Sequence, residues 1–232
     1  MLIPRLFYTL IFCTTLSFVQ APAAPPLPPA SPIDEHAITV SYSIGFKSKK
    51  RNIGPGETYN GGVKTIFSNG QQVRIRLVSL MRMQSIFILP EHISSKKAVL
   101  LKESGKNKYK CYLTAADWKS YNQQYEGIKC HLTNDTTRIL NYICKKAILT
   151  LKNGKKISVY YTPAIQMHVL SDAEPLFSSI PGLVLKYEYT YRKGSITYTA
   201  TVVNRKAIAP DTFAIPGNEF PLRNFPGVQK TK

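Results

Sequence analysis

Four glycine-centred turn signals, Asn69-Gly70, Gly105, Asn153-Gly154 and Lys193-Gly194, are each flanked by segments in which apolar and polar residues alternate. Glycine reaches the positive φ that tight hairpin turns require, and a period of two sends successive side chains to opposite faces of a strand. Such a chain is confined to antiparallel hairpins with one dry and one wet face. The segment "PGLVLKYEYTYRKGSITYTATVV" (181–203) is the clearest case. With Lys193-Gly194 as a two-residue turn, Leu185, Tyr187, Tyr189 and Tyr191 share a face with Ile196, Tyr198, Ala200 and Val202, and Tyr189 stands opposite Tyr198. Lys186, Glu188, Thr190, Thr197, Thr199 and Thr201 take the other face. The tyrosines point inward.

The same logic extends along the chain. "VKTIFSNGQQVRIRL" puts Ile66, Val73, Ile75 and Leu77 on one face and Thr65, Gln72, Arg74 and Arg76 on the other. "MQSIFIL" continues as a strand to Pro90, "AVLLKESGKNKYKCYL" forms a hairpin around Gly105, and "CKKAILTLKNGKKISVYYT" forms another that is apolar on both faces. One helix interrupts the strands. Thr114 is its N-cap and Asp117 its N3 residue, and Trp118, Tyr121 and Tyr125 recur at helical spacing, so about two to three turns pack on the sheet. Roughly eight to eleven strands, one principal short helix and no repeated βα unit predict a mainly β fold: a curved antiparallel sheet or half-barrel with the helix on its concave side. The candidate ligand-binding residues on that face are Leu185, Tyr187, Tyr189, Tyr198, Trp118 and Tyr121. Two alternatives stand open for them, a solid core or a partly open cleft in which tyrosine rings supply apolar walls and a polar rim.

With 232 residues and 44% hydrophobic content, the chain suits one domain. Residues 1–23 read as a signal peptide, with Arg5, an apolar run from Leu6 to Val19 and a small-residue exit near Ala21 to Ala24. The run is shorter than the ~20 residues of a membrane anchor and contains Thr14, Thr15 and Ser17, so an integral membrane protein is not expected. Phe12 precedes Cys13 where lipidation requires a small residue. Residues 24–36 read as a Pro-rich disordered linker, 37–217 as the antiparallel β domain and 218–232 as a basic C-terminal tail.

Removal of the signal peptide leaves 30 basic residues against 13 acidic ones, a formal charge of +17. That biases partners towards anions. The bases are spread through 47–51, 96–97, 145–146 and 152–156, which fits either a solvated exterior or a surface for anionic lipid or polysaccharide. Nucleic acid is not expected, because no recognition module is present and export removes the usual targets.

Cys111, Cys130 and Cys144 remain after cleavage. Cys130 and Cys144 are a disulfide candidate whose loop of about 15 residues would be worth ~3 kcal/mol; the alternative is three buried thiols. His36, His92, His131 and His168 are scattered without metal-ligand spacing, and no cofactor motif is present. Nucleophile elbows, zinc-protease helices, phosphate loops and paired acids are also missing, so no enzymatic activity is expected.

"TNDTTRILNYICKKAILTLKNGKKISVYYTPAI" followed by "SSIPGLVLKYEY" resembles the GLPGLI-type exported proteins of Gram-negative bacteria and a related uncharacterised family. The matching motif residues are Tyr142, Cys144, Lys146 and Ala147, then Tyr160, Tyr161 and Thr162, then Pro181, Gly182 and Leu183, and the match covers roughly 110–216. Asn141 stands where glycine is usual, and Ser179-Ile180 where Gly-Leu is usual. The resemblance implies a periplasmic or outer-membrane-associated location and, at fold level, similarity to the lipoprotein-localisation factors (a LolA/LolB-like half-barrel). It implies no established activity. Two functions follow as expectations: a carrier that holds a lipid or acyl chain on its concave aromatic face, or a non-enzymatic envelope protein that works through its basic surface.

Overall fold

The computed structural model describes residues 36–48, 58–91, 94–191 and 194–225. The chain divides into two units at Ala30/Ser31, and every described residue belongs to the second. The signal peptide, nearly all of the Pro-rich linker, Lys193 and the Tyr191 side chain lie outside what is described.

Eleven strands form one curved, unclosed antiparallel sheet: β1 (Ile38–Ser48), β2 (Val63–Ser68), β3 (Val73–Ser79), β4 (Arg82–Ile88), β5 (Ala98–Ser104), β6 (Asn107–Leu113), β7 (Lys129–Ile139), β8 (Tyr142–Thr150), β9 (Lys156–Thr162), β10 (Leu183–Tyr191) and β11 (Gly194–Asn204). Their spatial order is β6-β5-β4-β3-β2-β1-β11-β10-β9-β8-β7, two meanders joined where β1 pairs with β11. The chain must therefore travel from the β6 edge to the β7 edge. That connection carries helix α1 (Ala115–Tyr121) and the 3-10 turn Gln123–Tyr125. A second short helix, α2 (His168–Ala173), and the 3-10 turn Pro175–Phe177 lie between β9 and β10.

The helix starts as its sequence requires. Thr114 Oγ1 accepts from the Asp117 N–H at 3.2 Å, while the Asp117 carboxylate accepts from the Thr114 N–H at 3.0 Å and from its hydroxyl at 2.8 Å. The backbone and then the side-chain bond to Thr114 hold the Asp117 carboxyl below its usual range. Asn69-Gly70, Gly105 and Gly154 all fall in the hairpin connections, with positive φ at each glycine. Ile66 and Ile75 face each other in register, and Ile86 and Leu100 extend the same layer.

The tyrosine hairpin keeps its expected faces but not its expected register. Tyr187 stands opposite Tyr198 and Tyr189 opposite Ile196, two residues from the predicted pairing, and an even shift leaves each side chain on its own face. The cause lies in Gly194, which is the first residue of β11 rather than part of the turn, and pairs with both Tyr191 and Ser48. A Cβ there would stand 2.0 Å from the Lys47 carbonyl oxygen, so glycine is required for close approach of β1. Val202 is a second departure. The register of β1 and β11 slips between Ser41 and Tyr42, leaving Thr201 unpaired; Val202 turns outward, 47% exposed, and Val203 packs on the core instead.

The Cys130–Cys144 disulfide is not formed: among the described residues Cys111, Cys130 and Cys144 are free thiols. Cys130 pairs in register with Leu149 and Cys144 with Thr137, which sets the two apart by five residue steps along β8, roughly 16 Å. At the other end of the chain, Phe220 is buried against Phe87, Val99 and Leu101, and Leu222 bridges Lys110 on β6. Packing thus continues into the segment read as a tail.

Candidate ligand-binding cleft

The centre of the concave face is built by three neighbouring strands. Ile44 of β1, Tyr198 of β11 and Tyr187 of β10 lie side by side in register, and Tyr187 stacks on Tyr198 with centroids 4.4 Å apart. Phe177 meets Tyr187 edge-on at 4.9 Å, and Tyr42 meets it at 6.1 Å. Beside these rings Lys64, only 5% exposed, forms an ion pair with Glu174 and donates to the Tyr187 hydroxyl at 3.0 Å. Its ammonium also sits 5.1 to 5.9 Å from the ring centroids of Tyr42, Tyr187 and Tyr198. A buried lysine is tolerated where carboxylate, hydroxyl and ring faces together replace its water.

Two spaces open beside these rings. A deep cavity of about 200 Å³ is walled by Trp118, Tyr121 and Tyr125 from the helix side and by Tyr187, Tyr189 and Tyr198 from the sheet, with Lys64 and Glu174 at its base. A broader cleft of about 670 Å³ runs outward past Tyr59, Met83, Tyr109 and Ile196. Leu77, Gln84, Tyr189 and Tyr198 border both, so the two adjoin along one aromatic depression. Trp118 stacks on Tyr121 at 5.7 Å, Gln84 Nε2 lies 3.4 Å from the Tyr121 hydroxyl, and Tyr125 shares a hydrogen bond with Tyr189. These contacts fix the wall.

Burial, and secondarily the Glu174 charge, pushes the Tyr42 and Tyr187 hydroxyls well above their usual range. Burial, then the neighbouring Tyr125, does the same at Tyr189, and burial followed by Tyr59 pushes Tyr198 up to about 12. All four stay protonated at physiological pH. They are neutral donors on an apolar wall and supply no tyrosinate.

Of the residues singled out from sequence, Tyr189, Tyr198, Trp118 and Tyr121 line the depression and Tyr187 forms its floor. Leu185 does not; it is fully buried, the unpaired residue of a bulge between Val184 and Lys186. Lys64, Glu174 and Tyr42 were not singled out. Lys64 did carry a signal, since alternation puts it on the same face as Ile66. Glu174 carried none, lying between the short helix α2 and the 3-10 turn Pro175–Phe177.

The motif residues are gathered elsewhere. Leu183 pairs with Thr162 and Val184 with Tyr161, while Lys146 pairs with Tyr160 and Ala147 with Val159. Cys144, Ala147, Tyr161, Thr162 and Leu183 are buried. Lys146 reaches Asp135 at 3.0 Å, a bond that raises its pKa. Pro181, Gly182 and Leu183 border a separate cavity of about 330 Å³ under α2, which shares Glu174 with the deep cavity. Gly182 has φ +150°, and a Cβ there would stand 2.2 Å from the Thr162 carbonyl oxygen. Gly182→Ala should therefore force β9 and β10 apart and lower stability by roughly 1–3 kcal/mol in thermal unfolding. An unchanged melting temperature would remove the structural role of this corner.

Among the described residues no three His, Cys, Asp or Glu side chains converge to hold a metal, and no helix is long and apolar enough to cross a membrane. No family model and no curated protein matches the chain. Solved structures similar to the chain include PNGF-II in its P21 crystal form (19% identity, TM-score 0.48, covering 82% of this chain and 32% of that one). MucB (11%, TM-score 0.39, 79% and 58%) and an uncharacterized conserved protein from Thermus thermophilus (6%, 0.36, 80% and 90%) are similar at greater distance. The chain spans about a third of the length of the PNGF-II chain it resembles.

Proposed function

We infer that the concave face takes up an apolar chain, a lipid or acyl group, and that the protein is a non-enzymatic carrier or binding protein of the bacterial envelope. The observation that carries this reading is the adjacency of the deep cavity and the outer cleft, which share Leu77, Gln84, Tyr189 and Tyr198 as lining. A depression walled mainly by aromatic and aliphatic side chains, with a few convergent polar groups, has the composition of a hydrophobic-ligand site. Neutral tyrosine hydroxyls suit binding rather than bond-breaking. The open cleft weighs against a solid-cored protein that works only through its exterior. The signal-peptide reading of residues 1–23 and the motif resemblance of 110–216 support the envelope location.

Native mass spectrometry of the protein purified from the periplasm should show a co-purified adduct of lipid mass that organic extraction removes. Protein that is ligand-free after gentle purification, and stays so after incubation with envelope lipid extract, would contradict the reading.

A further inference from the structure

The polar end of the depression is as organised as its apolar end. Across five strands, Lys64, Leu77, Gln84, Lys102 and Tyr109 are successive partners in register, a row that runs from the buried ion pair to the outer edge of the sheet. Its outer half is basic. Lys102 lines the cleft, and so does Arg82, two residues before Gln84 on β4. Arg82 donates to the Tyr59 hydroxyl at 3.1 Å and lies 5.7 Å from that ring. Arg223 completes the set from the C-terminal segment. Its N–H is bound to the Lys110 carbonyl at 2.9 Å and its guanidinium sits 4.8 Å from the centre of the Tyr109 ring. Lys102 and Arg223 both act on the Cys111 thiol, lowering a pKa that burial raises, so their charges fall on one region.

Among the described residues none of Arg82, Lys102 and Arg223 is in an ion pair. Arg82 and Arg223 lie against the rings of Tyr59 and Tyr109, contacts that orient a guanidinium and leave its charge uncompensated. Glu103, the one acid in the cleft lining, pairs in register with Met83 and Lys108. Three cations against one acid, at the open end of an aromatic depression, describe a site for a chain that ends in negative charge.

We propose that the ligand is an anionic amphiphile whose carboxylate or phosphate head is bound by Arg82, Lys102 and Arg223 while its chain enters past Tyr189 and Tyr198. This rests on the reading of the depression as an acyl-chain site and adds the chemistry of the head. A guanidinium offers paired donors to either oxyanion.

Calorimetric titration with dodecanoate, dodecyl phosphate, dodecanol and dodecyltrimethylammonium separates the chain from the head. Both anions should bind about tenfold or more tightly than dodecanol, the ammonium compound should bind weakest, and the preference should shrink as salt rises. The ratio of dodecanoate to dodecyl phosphate affinity identifies whether a free acid or a phosphate head is the better fit. In Arg82→Gln/Arg223→Gln the anion preference should fall towards unity with dodecanol affinity unchanged, and the salt dependence of the unmodified protein gives the same answer should that variant not fold. Equal affinity for dodecanoate, dodecyl phosphate and dodecanol would overturn the head-group proposal and leave the chain site standing. Binding of none of the four would overturn both.

Discussion

Lys64→Met is expected to lower the unfolding free energy by about 3–5 kcal/mol, because it removes one half of a buried ion pair and leaves Glu174 without its cation. Lys64 also donates to Tyr187 and faces the rings of Tyr42, Tyr187 and Tyr198, so a single truncation disturbs the whole aromatic floor. The pair ties β2 to the turn between α2 and Pro175–Phe177, and its loss should loosen that segment first. Lys64→Met/Glu174→Leu should recover most of the loss, since two apolar side chains require no desolvation of charge. Urea unfolding of the two single variants and the double variant measures this. A double variant as unstable as Lys64→Met would show that the charges are not the reason for the cost.

The second large effect separates two tyrosines that alternate along one strand. Tyr187 is 3% exposed, stacked on Tyr198 and covered by Phe177, so Tyr187→Ala should cost about 3–5 kcal/mol, as expected for a large-to-small change at a buried aromatic. Tyr189 is half-buried and lines both the deep cavity and the outer cleft. Tyr189→Ala should cost only about 1 kcal/mol and should instead weaken uptake of a fluorescent fatty acid. Equal destabilisation by the two changes, with no change in uptake, would mean that the tyrosines form one solid core.

The faces of the strands were legible from alternation and their pairing was not. Inward placement of Tyr187, Tyr189 and Tyr198 follows from a period of two, which is insensitive to an even shift. Which tyrosine meets which depends on the turn, and the glycine assigned to the turn is required instead where β1 crosses close to Gly194. Val202 and Leu185 were misplaced for a related reason: a bulge adds one residue to one strand, and nothing in the local pattern announces it. The helix was readable down to its cap, because Thr114 and Asp117 satisfy each other within one turn. Glu174 could not be found, since its partner Lys64 is 110 residues away and the short helix and 3-10 turn on either side of it are too brief to show a periodic pattern. The motif residues proved to be a packing junction of β8, β9 and β10, and none of them lines the cleft, so a resemblance carried by them speaks to the fold before it speaks to a ligand.

Trp118 is the only tryptophan in the chain and forms part of the wall of the deep cavity, which makes its emission a local probe of occupancy. Titration with a fatty acid brominated along its chain tests the central claim directly, because bromine quenches indole fluorescence only at short range. Binding of the chain in the aromatic depression predicts saturable quenching of Trp118 that the unbrominated acid reverses by competition. Emission that stays unchanged until the fatty acid forms micelles would contradict it.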